Sequence, residues 1–200
     1  MKMLIYKFAV LGLGAVTLLS SAGCDATRPE KGLSFSGFLS DYSRLESFSK
    51  TSYRYVNPKH GLDRYSRFIV EPVEILLDDV TRSDIDSWDE LERLRAYMRR
   101  TLIDTLEPRY AAFAQTPGQG VVIIRVALSG IRKPTMFKPG GATVEAELLD
   151  SVTGEQIAAI VERGQKKLPF GGYAEWDEAR AVMDDWAKRF YDRLEEARGY

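Results

Sequence analysis

The sequence predicts an α+β fold: a two-layer sandwich in which a mostly antiparallel sheet carries two helices on one face. Three observations point there. Val121–Ile131 and Ala142–Leu149 alternate apolar and polar residues with period two, as strands with one covered face do. Two longer segments repeat apolar residues at helical spacing: Leu91, Leu94, Met98, Leu102, Leu106, and then Ala179, Val182, Met183, Trp186, Phe190, Leu194. Each helix has a single apolar stripe, so both can lie on the same sheet face. The predicted order is β-α-β-β-β-α.

The first strand is Arg67–Leu77, rich in β-branched and apolar residues. Pro72 inside it has no N–H to give, which predicts an edge position or a bulge. Ser87-Trp88-Asp89-Glu90 is a capping box opening the first helix. Pro108 ends or kinks that helix, with Tyr110–Ala114 as a candidate continuation. Gly118 and Gly120 mark a turn into Val121–Ile131, and Arg132–Gly141 is a loop. Asp150–Glu155 is a hairpin connection that needs positive φ at Gly154, and Gln156–Arg163 pairs back on Ala142–Leu149. Gly171-Gly172 breaks the chain before the last helix, Trp176–Ala197.

The N-terminal third is less regular. Cys24–Gly32 is a polar tether with Pro29. Residues 33–66 read as a wrapping segment of one domain spanning 33–200. Within it, Leu33–Leu45 either makes a helical turn or lies across the domain with its aromatics as plugs. Glu46–Ser66 is a loop or irregular strand. Of the aromatic series Phe35, Phe38, Tyr42, Phe48, Tyr53 and Tyr55, the phenylalanines are expected to cover core, and the tyrosines stay open between core and interface.

Residues 1–23 have the form of a secretion signal. Lys2 and Lys7 flank a charged start, Phe8–Leu19 is a short apolar run, and small residues lead to Cys24, the single cysteine. The run is a dozen residues, short of the roughly 20 that a spanning helix needs. With cysteine directly after the cut, the segment resembles a bacterial lipoprotein signal. That implies a chain beginning at Cys24, acylated there with palmitate-type chains and anchored in the cell envelope facing the periplasm. Asp25 leans toward the inner membrane, with inner against outer left open. An acylated Cys24 also leaves no free thiol.

Cleavage removes two of the 28 basic residues and none of the 29 acidic ones, so the mature chain carries a net charge of −3. That balance gives no basic face for nucleic acid. A mature length of 177 residues suits one domain with a core of its own and no disulfide.

The chemical inventory is thin. His60, in a turn-like Pro58-Lys59-His60-Gly61 context, is the only histidine and reads as a loop residue rather than a catalytic base; no GxSxG elbow is present. One histidine and one cysteine are too few for the usual zinc sites. Asp78, Asp79, Asp84, Asp86, Asp89 and Glu90 cluster before a helix start, where the helix dipole explains them, and they lack the spacing of a calcium loop. Lys138–Gly141 with Arg132 and Lys133 could cradle an anion but does not match a phosphate-binding loop. No catalytic residue, metal or cofactor is expected. Met136 and Phe137, an apolar pair between basic residues, are either tucked under the N-terminal segment or offered to a partner or the lipid surface. With Tyr53 and Tyr55 they form the candidate partner surface.

Several segments together resemble a bacterial lipoprotein family catalogued as a domain of unknown function, number three-three-one-three. They are the Cys24 start, Ser36–Leu45, Val70–Ile75, Gly140–Glu155 and the terminal helix with Trp186–Phe190. The resemblance implies a single-domain envelope lipoprotein and supplies no catalytic residues. The expected function is a non-enzymatic, membrane-tethered interaction domain that helps assemble or regulate an envelope complex through a protein partner. The alternative is a periplasmic binder of small ligands or glycans, or a weak hydrolase, using a deep aromatic pocket with His60, Glu71 or Arg125.

Overall fold

The computed structural model describes residues 33–77, 88–107, 113–132, 141–165 and 177–198. Cys24, Met136, Phe137, Ser87 and the acidic run at Asp78–Asp86 lie outside them, as do the Lys138–Gly140 part of the loop and Gly171-Gly172. The elements are β1 (Glu46–Ser49), β2 (Ser52–Val56), a short 3-10 turn (Leu62–Arg64), β3 (Arg67–Val70), β4 (Glu74–Leu76), α1 (Trp88–Leu106), β5 (Val121–Arg132), β6 (Gly141–Asp150), β7 (Gln156–Gln165) and α2 (Asp177–Ala197).

The seven strands form one sheet in the order β1-β2-β7-β6-β5-β3, with β4 also paired to β5. The pairs β1–β2, β2–β7, β7–β6 and β6–β5 are antiparallel. β3 and β4 run parallel to β5, against Val121–Ile124 and Ala127–Ser129. They are one edge strand interrupted at residues 71–73, where Pro72 cannot donate. Of the edge position or bulge expected at Pro72, the edge position is present.

The two helices cover one face of the sheet. From α1, Leu91, Leu94, Met98, Leu102 and Leu106 are buried, and from α2, Ala179, Val182, Met183, Trp186 and Leu194. They pack on Val122, Ile124, Val126 and Leu128 of β5 and Ala142, Val144, Ala146 and Leu148 of β6. These are the residues whose periodicity predicted the layers. At Gly164 of β7 an added Cβ would stand 2.2 Å from Val182 and 2.9 Å from Trp186, so α2 lies directly on this backbone. Gly154 has φ +71, as the hairpin required.

Two features depart from expectation, and a third settles an alternative. Glu46–Ser66 contains a regular hairpin, β1–β2, whose second strand extends the sheet by pairing with β7 (Tyr53↔Val161, Tyr55↔Ala159). Of the two forms expected of Leu33–Leu45, the helical turn is absent and the wrapping segment is present. It lies as a strap over the second face of the sheet, where Leu33, Phe38, Leu39 and Leu45 bury against Tyr53, Ala127, Ala159 and Val161. Phe113, in the candidate continuation of α1, is extended instead and makes a parallel bridge to Phe68.

Candidate functional site

The polar residues of β6 were expected to face water. Thr143 is 3% exposed, Glu145 0% and Glu147 1%, so the sheet is covered on both faces. Burying a carboxyl is costly unless its oxygens are satisfied, and the strap satisfies them. Glu145 accepts from the Ser36 amide at 2.8 Å and from the Tyr42 hydroxyl. Glu147 accepts from the Ser40 amide at 3.0 Å, the Ser40 hydroxyl at 2.7 Å, Gln156 Nε2 at 2.8 Å and the Arg125 guanidinium at 2.6 Å. Each glutamate thus holds one backbone N–H of the strap, in the manner of a cap.

Aromatic packing completes the strap. Phe35 stacks on Tyr42 with centroids 4.9 Å apart and meets the edge of Tyr53 at 5.5 Å. Arg125 lies over the Phe38 ring at 4.7 Å and reaches Glu71 at 3.4 Å. Arg44 donates to the Tyr55 hydroxyl at 2.9 Å and to Gln156 at 3.3 Å. Burial, and next the hydrogen bond to Glu145, push the Tyr42 hydroxyl up to about 12.

A second charged cluster sits on the helix side. Glu162 of β7 accepts from Trp186 Nε1 at 3.1 Å and Arg189 at 2.5 Å. Arg193 stands 3.3 Å away and Arg54 3.8 Å. Three guanidinium groups therefore meet one carboxylate. Burial first, and then repulsion from Arg193, lower the Arg54 pKa despite the attraction of Glu162. Among the described residues, the buried Nε atoms of Arg54 and Arg189 have no hydrogen-bond partner. Beside the cluster runs a groove of about 100 Å³ between the end of α2 and the sheet. Its walls are Ala146, Leu148, Ala158 and Ile160 on the sheet and Phe190 and Leu194 on α2, with Arg54 and Arg193 also lining it.

The sequence-predicted residues fall in separate places. Tyr53, placed on the partner surface, is 3% exposed and is core beneath the strap. Tyr55 is half-buried and engaged by Arg44. Phe48, expected to cover core, is 66% exposed on β1, with the Arg54 guanidinium 3.5 Å above its ring. His60 pairs with Glu155 at 3.0 Å, far along the sheet from Arg125 and Glu71 in pairing terms, and none of the three lines the groove. Sequence reasoning missed Glu145, Glu147 and Glu162. A glutamate on an alternating strand looks the same whether its face meets water or a strap. The signal that could have found the strap is the density of Ser and Tyr donors in Ser36–Ser43.

Among the described residues no group of three or more metal-ligating side chains occurs, and no helix is long and apolar enough to cross a membrane. Residues 34–138 and 129–190 match the model of a family described as "Protein of unknown function (DUF3313)". No curated protein matches the chain. Among solved structures, a variant of PelC from Paraburkholderia phytofirmans, a dodecamer, is 14% identical; the match covers 68% of this chain and 92% of that one, with a TM-score of 0.44. A second crystal form of PelC from that organism is 12% identical over 68% and 94%, with a TM-score of 0.41. A lipoprotein from Neisseria meningitidis is 12% identical over 66% and 99%, with a TM-score of 0.26. At these scores the likenesses carry no functional weight.

Proposed function

The chain belongs to the DUF3313 family, and within it we propose that it is a lipid-anchored envelope lipoprotein. Its folded domain is a non-enzymatic interaction module that assists assembly or regulation of an envelope complex. The anchor is Cys24, and the domain faces the periplasm. Eight residues lie between Cys24 and Leu33, a reach of at most roughly 30 Å, which holds the domain close to the bilayer. The strap then joins that tether to the centre of the sheet through Glu145 and Glu147.

The observation that carries the interaction reading is the β1 edge. β1 is terminal in the sheet, all four of its residues are exposed, and it presents Phe48. Val56, at the far end of the adjoining β2, is 58% exposed. An open strand edge with an exposed aromatic is a template for strand addition by a partner. The buried carboxyls, by contrast, are occupied with the strap and Arg125, which favours a structural role for them over acid–base chemistry.

The test combines intact mass, fractionation and site-specific photocrosslinking at Phe48, with Val152 on the hairpin as control. The expected result is an acylated mature chain in the membrane fraction, loss of both properties in Cys24→Ala, and one dominant envelope-protein adduct from position 48 only. A soluble, unmodified product would remove the anchor. Equal or absent adducts at both positions would remove the edge.

A further inference from the structure

We propose that the groove beside α2 binds a single-chain anionic amphiphile, an alkyl phosphate or fatty carboxylate, with Arg54 and Arg193 on its head and the chain end between Ile160 and Leu194. The walls select the tail. Ala146, Leu148, Ala158, Ile160, Phe190 and Leu194 offer carbon to the groove. A volume of about 100 Å³ is smaller than the cavity of about 150 Å³ that accommodates benzene, so an unbranched chain end fits better than a ring.

The rim selects the head. Arg189 is the guanidinium nearest Glu162, at 2.5 Å, leaving Arg193 at 3.3 Å and Arg54 at 3.8 Å with the weaker share of that carboxylate. Glu196 also attracts Arg54, while Arg193 and Arg189 repel it. Arg54 and Arg193 are the two of the three that also line the groove, so an anionic head at its rim would meet guanidinium groups. Phosphate and carboxylate oxygens accept from guanidinium donors in matched geometry, and the partly buried setting strengthens the contact. Burial first, and then repulsion from Arg193, lower the Arg54 pKa, and an anionic head would offset the repulsion. The site lies on the opposite side of the sheet from the strap, and Arg54, whose guanidinium also stacks on Phe48, connects it to the β1 edge.

The test uses the full chain in phosphatidylcholine nanodiscs, photolabelled with a decyl phosphate that carries a diazirine in its tail. Labels are expected on the peptides holding Ile160 and Leu194, and unlabelled decyl phosphate should compete. Arg54→Gln and Arg193→Gln should each weaken competition at least about tenfold, the loss expected for a charge-assisted hydrogen bond. Ala197→Phe, at an exposed position lining the groove, should block labelling with the fold intact by circular dichroism. Labelling elsewhere, or labelling unchanged in Ala197→Phe and in the double arginine variant, would overturn the site. Equal competition by inorganic phosphate would make it a simple anion site and overturn the tail. Equal competition by decyl maltoside would overturn the anionic head.

Discussion

The two faces of the sheet are both buried, yet they are held by different physics. On the helix face, α1 and α2 lay apolar stripes on β5 and β6, and residues such as Leu94, Ile124 and Met183 lose all contact with water. That attraction is non-directional and scales with area. On the other face, thirteen residues of irregular chain, Leu33–Leu45, add directional bonds to Glu145 and Glu147 to their own apolar burial. A strap without its own backbone ladder has to place its N–H groups somewhere, and the buried carboxyls take two of them. The same strand, β6, serves both faces. Its apolar residues need only size and shape, whereas its glutamates need particular partners at particular distances. The helix face should therefore tolerate conservative repacking, and the strap face should fail when one partner is lost.

The largest effect is expected from Glu147→Ala. It leaves Arg125 without its closest acceptor and the Ser40 amide unbonded, and should cost about 3–5 kcal/mol. Urea unfolding gives the total, and hydrogen exchange should show protection lost at Ser36 and Ser40 while α1 amides stay slow. Uniform loss across both faces would show that the strap is not a separate unit.

Leu94→Ala is the matching change on the helix face and should cost about 3 kcal/mol, set by the cavity left behind. Here the exchange pattern should invert, with α1 amides speeding up and the strap little affected.

Gly164→Ala probes how tightly α2 sits on β7. Its Cβ would overlap Val182 and Trp186, so thermal denaturation should register about 2 kcal/mol of overpacking. No loss would mean that α2 shifts freely.

Tyr42→Phe should be mildest near neutral pH, about 1–2 kcal/mol for the lost bond to Glu145. Its signature is the alkaline dependence. In the folded chain Tyr42 and Tyr65 are both raised to about 12 from an ordinary 10. A raised folded value means stability that is intact below pH 10 and is lost as pH rises toward 12. Wild type should weaken across that window, and Tyr42→Phe should retain only the part due to Tyr65 and to Tyr97, whose hydroxyl is also raised by burial. Parallel curves for the two proteins would detach Tyr42 from the strap.

Much of the helix face was legible in the sequence. The buried positions of α1 are the five its spacing names, and β5, β6 and β7 begin and end within two residues of their predicted limits. Pro72 reported its edge strand because a missing N–H is a local fact. Phe48 and Tyr53 exchanged their expected roles, since composition says that an aromatic prefers cover and not whether β1 or β2 receives it. The glutamates of β6 were read as solvent-facing for the same reason: alternation records a difference between two faces and not what lies on either.

By itself the sequence determined periodicities and chain breaks, because each depends on neighbours a few residues apart. The tertiary structure decided that Glu145 and Glu147 are buried, that three arginines surround Glu162, and that β1 ends the sheet with Phe48 exposed. Those outcomes join residues about a hundred positions apart in the strap and more than twenty apart around Glu162. Whether a polar side chain meets water or a distant backbone N–H is settled only when the chain has closed on itself.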